Sequence, residues 1–450
     1  MNATNTIDIQ DAPLMTFHKK VFLCFILGQI ACGYTLGIAG TGLAQAGSAL
    51  HLNSFWMGLL GAGTLIGLMG SLIIGNIVDR VGRKNLFLCD MIVFAILALI
   101  QYFIDDPLIL FIDRVLLGLT IAVDYTTGAS LLTEWLPAKW SPKAQSSLII
   151  FWTIGFVGSY FTGSMITGFG ADNWKFIFMS SAIPAIVTAI VRLICRIPES
   201  AAWLATVGKY DEGLKLVHRY IGPQYTLPQV QQDTSGEKVT LAELFKPEYR
   251  INTLVSGVFY AAQVFPYFGI GIFIPIIVQS LNVSDTGMVA AAYNIFVLAG
   301  AVIGVILFDK ISRRAFLLST FYVAAAGILG MILLHSISTT ITVICFLIFA
   351  MGMAISVVSE NPYPPELFDT RMRGSGLGFS IFCSRVGAAA GTFMLPVCMD
   401  SFGIYVTLGI CGVVLLVGGL FCQKYAPETS PKFMHKGKSS TPKADASYSA

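Results

Sequence analysis

Long apolar stretches alternate with short polar segments along most of the chain. Each apolar stretch contains about 20 residues or more, the length that an α-helix needs to cross the hydrocarbon core of a bilayer. The pattern predicts twelve membrane-spanning helices, at 20–46, 54–78, 86–104, 108–136, 145–168, 174–195, 251–279, 286–308, 315–336, 339–364, 374–397 and 402–424. The sequence therefore predicts an all-α integral membrane protein.

The longer polar segments divide the chain into five parts. A mobile cytoplasmic tail is expected over 1–19, and a disordered tail rich in Ser, Lys and Pro over 425–450. Six of the predicted spans lie in 20–195 and six in 251–424, with a cytoplasmic loop over 196–250 between them. This arrangement predicts two six-helix bundles.

Composition supports a membrane protein and argues against several other classes. The chain is 55% hydrophobic and 12% charged, whereas a soluble domain carries about 25% charged residues. All nine cysteines lie in apolar runs, and the five histidines have no metal-ligand spacing. There is no phosphate-binding loop of the G-x-x-x-x-G-K-[ST] type. We expect no cofactor, no metal site, no enzyme activity and no nucleic-acid partner.

The distribution of basic residues predicts the orientation in the membrane. Lys and Arg residues concentrate on the cytoplasmic side of membrane proteins. With the N-terminus inside, nearly all of the 28 Lys and Arg residues face the cytoplasm, including those of 192–250. Arg114 and Arg385 are left within spans. A multi-pass protein of the cell membrane, inner or plasma, with both termini in the cytoplasm is the expectation.

Three sequence markers recur at a separation of about 230 residues, which indicates an internal repeat. The pairs are DRVGRK at 79–84 with DKISRR at 309–314, Glu134 with Glu366, and PES at 198–200 with PET at 427–429. A repeat of this kind predicts that the two bundles are related by pseudo-symmetry and enclose a cavity near the middle of the membrane.

Several of these segments carry a family resemblance. The loop GNIVDRVGRK at 75–84 resembles the signature loop between helices 2 and 3 of the major facilitator superfamily. PESAAWL at 198–204 and PYPPELFDTRMRGSGLG at 362–378 resemble elements of its sugar-porter and organic-ion branches. The resemblance covers about residues 20–430. Within the superfamily the chain is most similar to bacterial metabolite:proton symporters, near the nicotinate and aromatic-acid carriers and the sugar porters.

The resemblance implies a gate at the cytoplasmic ends of the bundles. Ion pairs there would hold the inner face closed and separate when the bundles rock. The basic residues could instead serve only to fix the orientation. The candidate gate residues are Asp79, Arg83, Glu134, Arg313, Glu366 and Arg373.

Charged residues inside the predicted spans are candidates for transport chemistry, because such residues are costly in a membrane and usually functional. The helical rise places Asp124 and Arg385 near the midplane, one from each bundle and on opposite sides of the cavity. Many relatives carry an acid in span 1, but this chain has Cys32-Gly33-Tyr34 there. We therefore predict that Asp124 carries the coupling proton, with Glu360 as a second candidate, and that Arg385 binds an anionic substrate. Structural roles in helix packing are the alternative.

Further polar and aromatic side chains are expected near the same depth on spans that line the cavity in this fold. These candidates for substrate binding are Gln29, Tyr34, Tyr125, Trp152, Gln263, Tyr267, Asn294 and Asn361.

The sequence thus predicts a secondary active transporter that imports a small organic acid with protons by alternating access. A proton-coupled sugar or polyol porter is one alternative, and an efflux pump or a non-transporting nutrient sensor of the same fold is another. The expected partners are a small-molecule substrate, protons and the lipid bilayer, with the protein as a monomer.

Overall fold

The computed structural model describes residues 7–166, 168–227, 241–281, 283, 285–308, 310–360, 362–369 and 372–434. Within these ranges, eleven helices are long and apolar enough to cross a membrane. The helix Pro107–Trp135 lies at the predicted fourth span and contains Asp113, Arg114 and Asp124. The structure therefore has helices at all twelve predicted spans.

The first half of the chain forms the N bundle. Its helices are α1 (Thr16–Ala49), α2 (Ser54–Leu68), α3 (Ser71–Val81), α4 (Lys84–Ile100), α5 (Pro107–Trp135), α6 (Ser141–Met165), α7 (Asn173–Met179) and α8 (Ala182–Cys195). The second span is interrupted between α2 and α3, and the sixth between α7 and α8. Short 3₁₀ turns at Gln101–Phe103 and Gly170–Asp172 lie in the loops.

The second half forms the C bundle, after two short helices, α9 (Ala201–Thr206) and α10 (Tyr210–Tyr220), and a 3₁₀ turn at Leu241–Phe245. Its helices are α11 (Arg250–Ile272), α12 (Ile274–Ser280), α13 (Thr286–Phe308), α14 (Arg313–Leu334), α15 (Thr339–Val357), α16 (Tyr363–Glu366), α17 (Arg373–Phe402) and α18 (Ile404–Tyr425), followed by α19 (Pro431–Met434).

Helix packing repeats between the two halves. In the N bundle α1 packs against α6, and in the C bundle α11 packs against α17. The bundles meet where α2 contacts α17 and α6 contacts α13. A small residue is required where α1 crosses α11, because a Cβ added at Gly40 would lie 2.1 Å from the Ile272 carbonyl oxygen. Small residues allow membrane helices to approach this closely.

The segment before α1 is packed, in contrast to the mobile tail predicted from its polar sequence. Strand β1 (Ile7–Asp8) pairs in parallel with β2 (Tyr225–Thr226) of the central loop. Ile9 is only 3% exposed, and the Gln10 carbonyl accepts a hydrogen bond from the Ala138 backbone N–H. Burial of Ile9 and backbone pairing with the loop explain why the segment is ordered. The polar composition alone gave no sign of this partner.

The second predicted tail is also packed over its described part. Ala426 is buried, the Pro427 carbonyl accepts a hydrogen bond from the Tyr363 hydroxyl, and residues Pro431–Met434 form α19. The disorder predicted from composition is therefore wrong for 426–434, because these residues contact the C bundle. Residues 435–450, and residues 228–240 of the central loop, lie outside the described ranges.

Candidate functional site

A cavity of about 560 Å³ lies between the bundles. Its N-bundle wall comes from α1, α5 and α6, and its C-bundle wall from α11, α17 and the segment after α15. Six of the residues predicted for transport line it: Gln29, Tyr125, Trp152, Tyr267, Glu360 and Arg385. Three residues that were not predicted from the sequence also line it: Gln145, Tyr260 and Phe268.

The cavity extends toward the end of the bundles that carries the repeated DRVGRK loop. Ser71, Gln145, Pro365 and Gly374 line it on that side. At the opposite end, the bundles are joined directly. Ser54 Oγ donates a hydrogen bond to Asp400 Oδ2 at 2.9 Å, and the Tyr160 hydroxyl to the Gly287 carbonyl at 3.3 Å. The structure is thus closed at one end and accessible from the other.

Arg385 is the cationic side chain of this cavity. Its Nε is buried and makes no hydrogen bond within the described part of the chain. The guanidinium carbon lies 5.9 Å from the centroid of the Tyr125 ring, within the range of a cation–π contact. The Tyr125 hydroxyl is fixed by a hydrogen bond from Trp152 Nε1 at 2.7 Å. An aromatic pair from the N bundle therefore faces an arginine from the C bundle.

Glu360 lies beside Arg385 on the same wall. It follows the end of α15 and comes within electrostatic reach of both Arg385 and the Tyr260 hydroxyl. Its Oε1 is buried and without a hydrogen-bond partner among the described residues. Among the described residues, the cavity thus contains one guanidinium and one carboxyl group. The two charges can neutralise each other, or the guanidinium can bind an anionic substrate while the carboxylate binds a proton.

Asp124 does not face the cavity, in contrast to the prediction. Its side chain is fully buried in the N bundle, where its carboxylate accepts a hydrogen bond from Arg192 Nη2. Arg192 Nη1 also binds Asp90 Oδ1 at 2.9 Å. Arg192 was counted with the basic residues of 192–250 that face the cytoplasm, but its side chain has no exposed surface. The two buried carboxylates explain why it points inward.

Three other predicted binding residues are held inside their own bundles. The Tyr34 hydroxyl hydrogen-bonds Ser180 Oγ at 2.8 Å, Gln263 Nε2 donates to Ser356 Oγ at 2.8 Å, and Asn294 Nδ2 donates to its own helix. These hydrogen bonds hold the three side chains within their own bundles, which explains why they do not reach the cavity. Gln263 Oε1 and Asn294 Oδ1 are buried without a hydrogen-bond partner among the described residues. Asn361 lies outside the described residues.

Five of the six predicted gate residues form one cluster in each bundle. In the N bundle, Arg83 Nη2 lies 3.0 Å from Asp79 Oδ1 and 3.4 Å from Glu134 Oε1. Glu199, from the PES segment, accepts hydrogen bonds from the backbone N–H groups of Arg83 and Lys84. These groups begin α4, where the helix dipole favours a negative charge.

The C bundle repeats this arrangement. Arg313 Nε lies 3.5 Å from Glu366 Oε2, and Glu428 accepts hydrogen bonds from the backbone N–H groups of Arg313 and Arg314. Partial burial alone would raise the pKa of Glu428, but these N–H groups and that of Ser430 lower it below its usual value. Arg373 is exposed. Each of these ion pairs joins residues of a single bundle, as expected where the bundles are apart.

Two charged residues of the buried N-bundle cluster, Asp90 and Arg192, were missed from the sequence. Both stand within or at the end of an apolar run, and an ionisable residue at membrane depth is a functional candidate by default. That signal was available for Asp90, which lies four residues into the predicted third span. Arg192 was not recognised as a buried residue, because it lies directly before the basic central loop and was counted with that loop.

Comparisons with known proteins agree with this architecture. The family model described as "Sugar (and other) transporter" matches residues 17–437. The inner membrane metabolite transport protein YgcS of Escherichia coli is 31% identical over 435 residues, with 95% of each chain covered. The arabinose-proton symporter of Bacillus subtilis is 25% identical, with 95% and 96% covered.

A solved structure supports the same fold. The xylose transporter XylE from E. coli, in a partially occluded inward-open conformation, superposes with a TM-score of 0.77 at 16% identity, covering 92% of this chain and 99% of that one. The predicted all-α fold of two six-helix bundles is confirmed. The chain belongs to the sugar (and other) transporter family of the major facilitator superfamily, and it is a secondary membrane transporter and not an enzyme.

Proposed function

We propose that this protein imports a small organic acid, bound as its carboxylate, together with a proton by alternating access. The observation that carries this proposal is the Arg385 guanidinium on the cavity wall, with a buried Nε that has no hydrogen-bond partner in the described ranges. Arginine stays protonated at any accessible pH. A positive charge at this depth is costly unless a negative group meets it, and a carboxylate can bind it through two parallel hydrogen bonds.

Glu360 supplies the link to protons in this proposal. In the empty cavity its carboxylate is the negative group within reach of Arg385. A substrate carboxylate that takes its place leaves Glu360 buried and unpaired, so the favourable state is the one in which Glu360 binds a proton. Proton and substrate then bind cooperatively, and the net charge of the cavity does not change. Glu360 therefore replaces Asp124 as the proposed proton carrier of the cavity.

Alternating access follows from the two gate clusters. Rocking of the bundles brings the cluster of Arg83 toward that of Glu366 and closes the cavity at that end, while the contact between Ser54 and Asp400 opens. We place the gate end and both termini in the cytoplasm, because the basic residues concentrate there. The proposed location is the inner or plasma membrane, where the protein acts as a monomer among lipids. YgcS is named as an inner membrane protein.

A sugar or polyol is the second candidate substrate. Relatives named as an arabinose-proton symporter and as myo-inositol transporters match more than nine-tenths of this chain. The cavity also offers amide and aromatic groups, from Gln29 and Gln145 and from Trp152, that can bind hydroxyl groups and sugar rings. In this alternative Arg385 and Glu360 neutralise each other and bind hydroxyls jointly.

Uptake into proteoliposomes tests the proposal. Purified protein is reconstituted, a pH gradient (acid outside) is imposed, and accumulation is measured for labelled aliphatic and aromatic monocarboxylates, hexoses, pentoses and inositol. We expect gradient-dependent accumulation of a carboxylate, with competition by other carboxylates and little by neutral sugars. Accumulation of a sugar with no effect of carboxylates contradicts the organic-acid assignment and favours the sugar porter. Extrusion only, or no flux with any compound despite binding, favours the efflux pump or the sensor.

A further inference from the structure

A second group of charged side chains lies in the interior of the N bundle, away from the cavity wall. Asp90 on α4, Asp124 on α5 and Arg192 on α8 all have side chains with no exposed surface. Two carboxyl groups share one guanidinium, so the charges do not balance if both acids are ionised.

The geometry brings the two carboxyl groups together. Arg192 binds an oxygen of each, and the carboxyl groups of Asp90 and Asp124 are within hydrogen-bonding reach of each other. Asp90 Oδ2 has no donor among the described residues. Arg192 is itself fixed, since Nη1 donates to the Phe87 carbonyl at 2.8 Å and the guanidinium stacks 3.6 Å from the centroid of the Phe87 ring. These contacts oppose a movement of the guanidinium with one carboxyl group and away from the other.

Among the described residues, Arg192 is the cation that acts on the two acids. From α1, Cys32 Sγ lies 3.7 Å from Asp124 Oδ2, and Cys24 contributes its carbonyl oxygen to Arg192 Nε. Cys195 on α8 faces Cys24, and Tyr125 on α5 is next to Asp124. Thiols and a phenol are neutral near pH 7. With both acids ionised, the cluster carries one net negative charge at membrane depth, which is costly.

One proton removes this charge. Two carboxylates that share a site do not both ionise readily, and a carboxyl–carboxylate pair can hold a single proton between its oxygens. The proton bound here converts one carboxylate into a carboxylic acid that donates to the other. The cluster of one acid, one carboxylate and one guanidinium is then neutral, and Asp90 Oδ2 gains a partner.

We propose that the Asp90–Asp124 pair binds one proton, separate from that of Glu360, and that this proton moves with the substrate. The inference rests on the proposed carboxylate symport. One carboxylate with two protons transfers one net positive charge per cycle, so transport is electrogenic. With the Glu360 proton alone, transport would be electroneutral.

Gly28 of α1 lies between the acid pair and the cavity-lining residue Gln29. A Cβ added there would lie 2.3 Å from Arg192 Nη2 and 2.8 Å from Asp124 Oδ2. The next residue, Gln29, lines the cavity, as does Tyr125 beside Asp124. A single backbone layer of α1 therefore separates the proton pair from the transport route, and a movement of α1 against α5 can connect them.

Infrared difference spectroscopy tests the proton itself, without substrate. In purified protein we expect a buried carboxylic-acid C=O component that changes with pH. Asp90→Asn and Asp124→Asn should each remove the same component, because both residues hold the same proton. Asp113→Asn is the matched control, a buried acid of α5 beside Arg114 and outside the pair, and it should keep the component. A component that survives either substitution in the pair overturns the inference.

Each single substitution leaves Arg192 with one carboxylate, a balanced pair, so the variants should fold. If one of them cannot be purified, the other decides the result, since both must remove the same component.

Uptake driven by membrane potential tests the coupling. Without a pH gradient, an inside-negative potassium diffusion potential should stimulate carboxylate uptake by the wild type and by Asp113→Asn. Asp90→Asn and Asp124→Asn should lose this stimulation and keep uptake driven by a pH gradient. The inference is overturned if wild-type uptake does not respond to the membrane potential, or if both Asp90→Asn and Asp124→Asn keep the stimulation. The proposed carboxylate symport is unaffected by either result. Failure of the wild type to accumulate a carboxylate under a pH gradient overturns the proposed function instead, and the infrared result still decides the proton site.

Discussion

Replacing Arg385 with lysine keeps the positive charge of the cavity and removes the planar fork. In the structure the guanidinium is placed by α17, faces the Tyr125 ring and lies within electrostatic reach of Glu360. A lysine ammonium at this position has its three N–H donors on one nitrogen, so it does not reproduce the two parallel hydrogen bonds that a planar guanidinium offers a carboxylate. The substitution therefore separates the effect of charge from that of geometry.

The expected cost follows from the bond that is lost. A hydrogen bond to a charged group contributes about 1.5–3 kcal/mol, and each 1.4 kcal/mol corresponds to roughly tenfold in affinity. Arg385→Lys should thus raise the KM or Kd for the carboxylate about ten- to a hundredfold. Arg385→Ala should abolish uptake, because it removes the positive charge and leaves Glu360 as an unpaired buried acid.

The assay is proteoliposome uptake at several substrate concentrations, with binding to purified protein as an independent measure of affinity. Arg250→Lys, an exposed arginine at the start of α11, is the matched control and should behave as the wild type. Normal affinity in Arg385→Lys together with normal uptake in Arg385→Ala would show that the guanidinium does not bind the substrate. The organic-acid proposal would then fail.

Three further outcomes are expected. Asp79→Asn should abolish uptake at normal protein levels, because it weakens the gate cluster and not the core, and near-normal uptake would contradict the gate. Gly28→Ala should lower the Tm, because the added Cβ would lie 2.3 Å from Arg192 Nη2 and overpacking costs about 1–3 kcal/mol. The control Gly158→Ala adds a Cβ at a helical glycine with open space around it and should leave the Tm unchanged. Glu428→Gln should lower the Tm at neutral pH. Because the pKa of Glu428 is lowered in the folded protein, the stability that its carboxylate contributes is lost as the pH falls through that pKa. The Tm values of the wild type and of Glu428→Gln should therefore converge in acid. A Tm difference that stays constant with pH would show that the carboxylate charge is not the cause.

The spans and the repeat could be predicted from the sequence because each has a one-dimensional signal. Membrane helices are long apolar runs, and the loops at 79–84 and 309–314 have identical or similar residue types at most of the corresponding positions. These properties depend on chain distance and not on which face of a helix meets a neighbour.

The direction in which a buried side chain points could not be predicted in the same way. Asp124 and Tyr125 are adjacent on α5, yet one faces Arg192 in the bundle and the other lines the cavity. Their depth is the same, so only the rotation of α5 separates their roles, and that rotation is set by packing against α2 and α4. Arg192 was misplaced for a related reason, because its carboxylate partners are 68 and 102 residues away.

The two bundles have the same chemistry in their proposed gate clusters but different charged groups in their interior. Glu199 and Glu428 accept hydrogen bonds from the first backbone N–H groups of α4 and α14, and each cluster adds an arginine paired with a glutamate. Both arginine–glutamate pairs are partly buried at the ends of their bundles. The N bundle encloses Asp90, Asp124 and Arg192 in a buried cluster, whereas the C bundle presents Arg385 and Glu360 to the cavity.

This asymmetry indicates which parts of the protein can vary independently. The gate requires matching movements of both bundles, and the repeat supplies equivalent parts for it. Substrate recognition requires only that one wall present the right groups, so a change at Arg385 or Glu360 can alter the substrate without disturbing the gate. The side chains of the buried N-bundle cluster have no exposed surface. In the proposed symport, the charge state of this cluster therefore adds to the energetics of transport independently of the groups that bind the substrate.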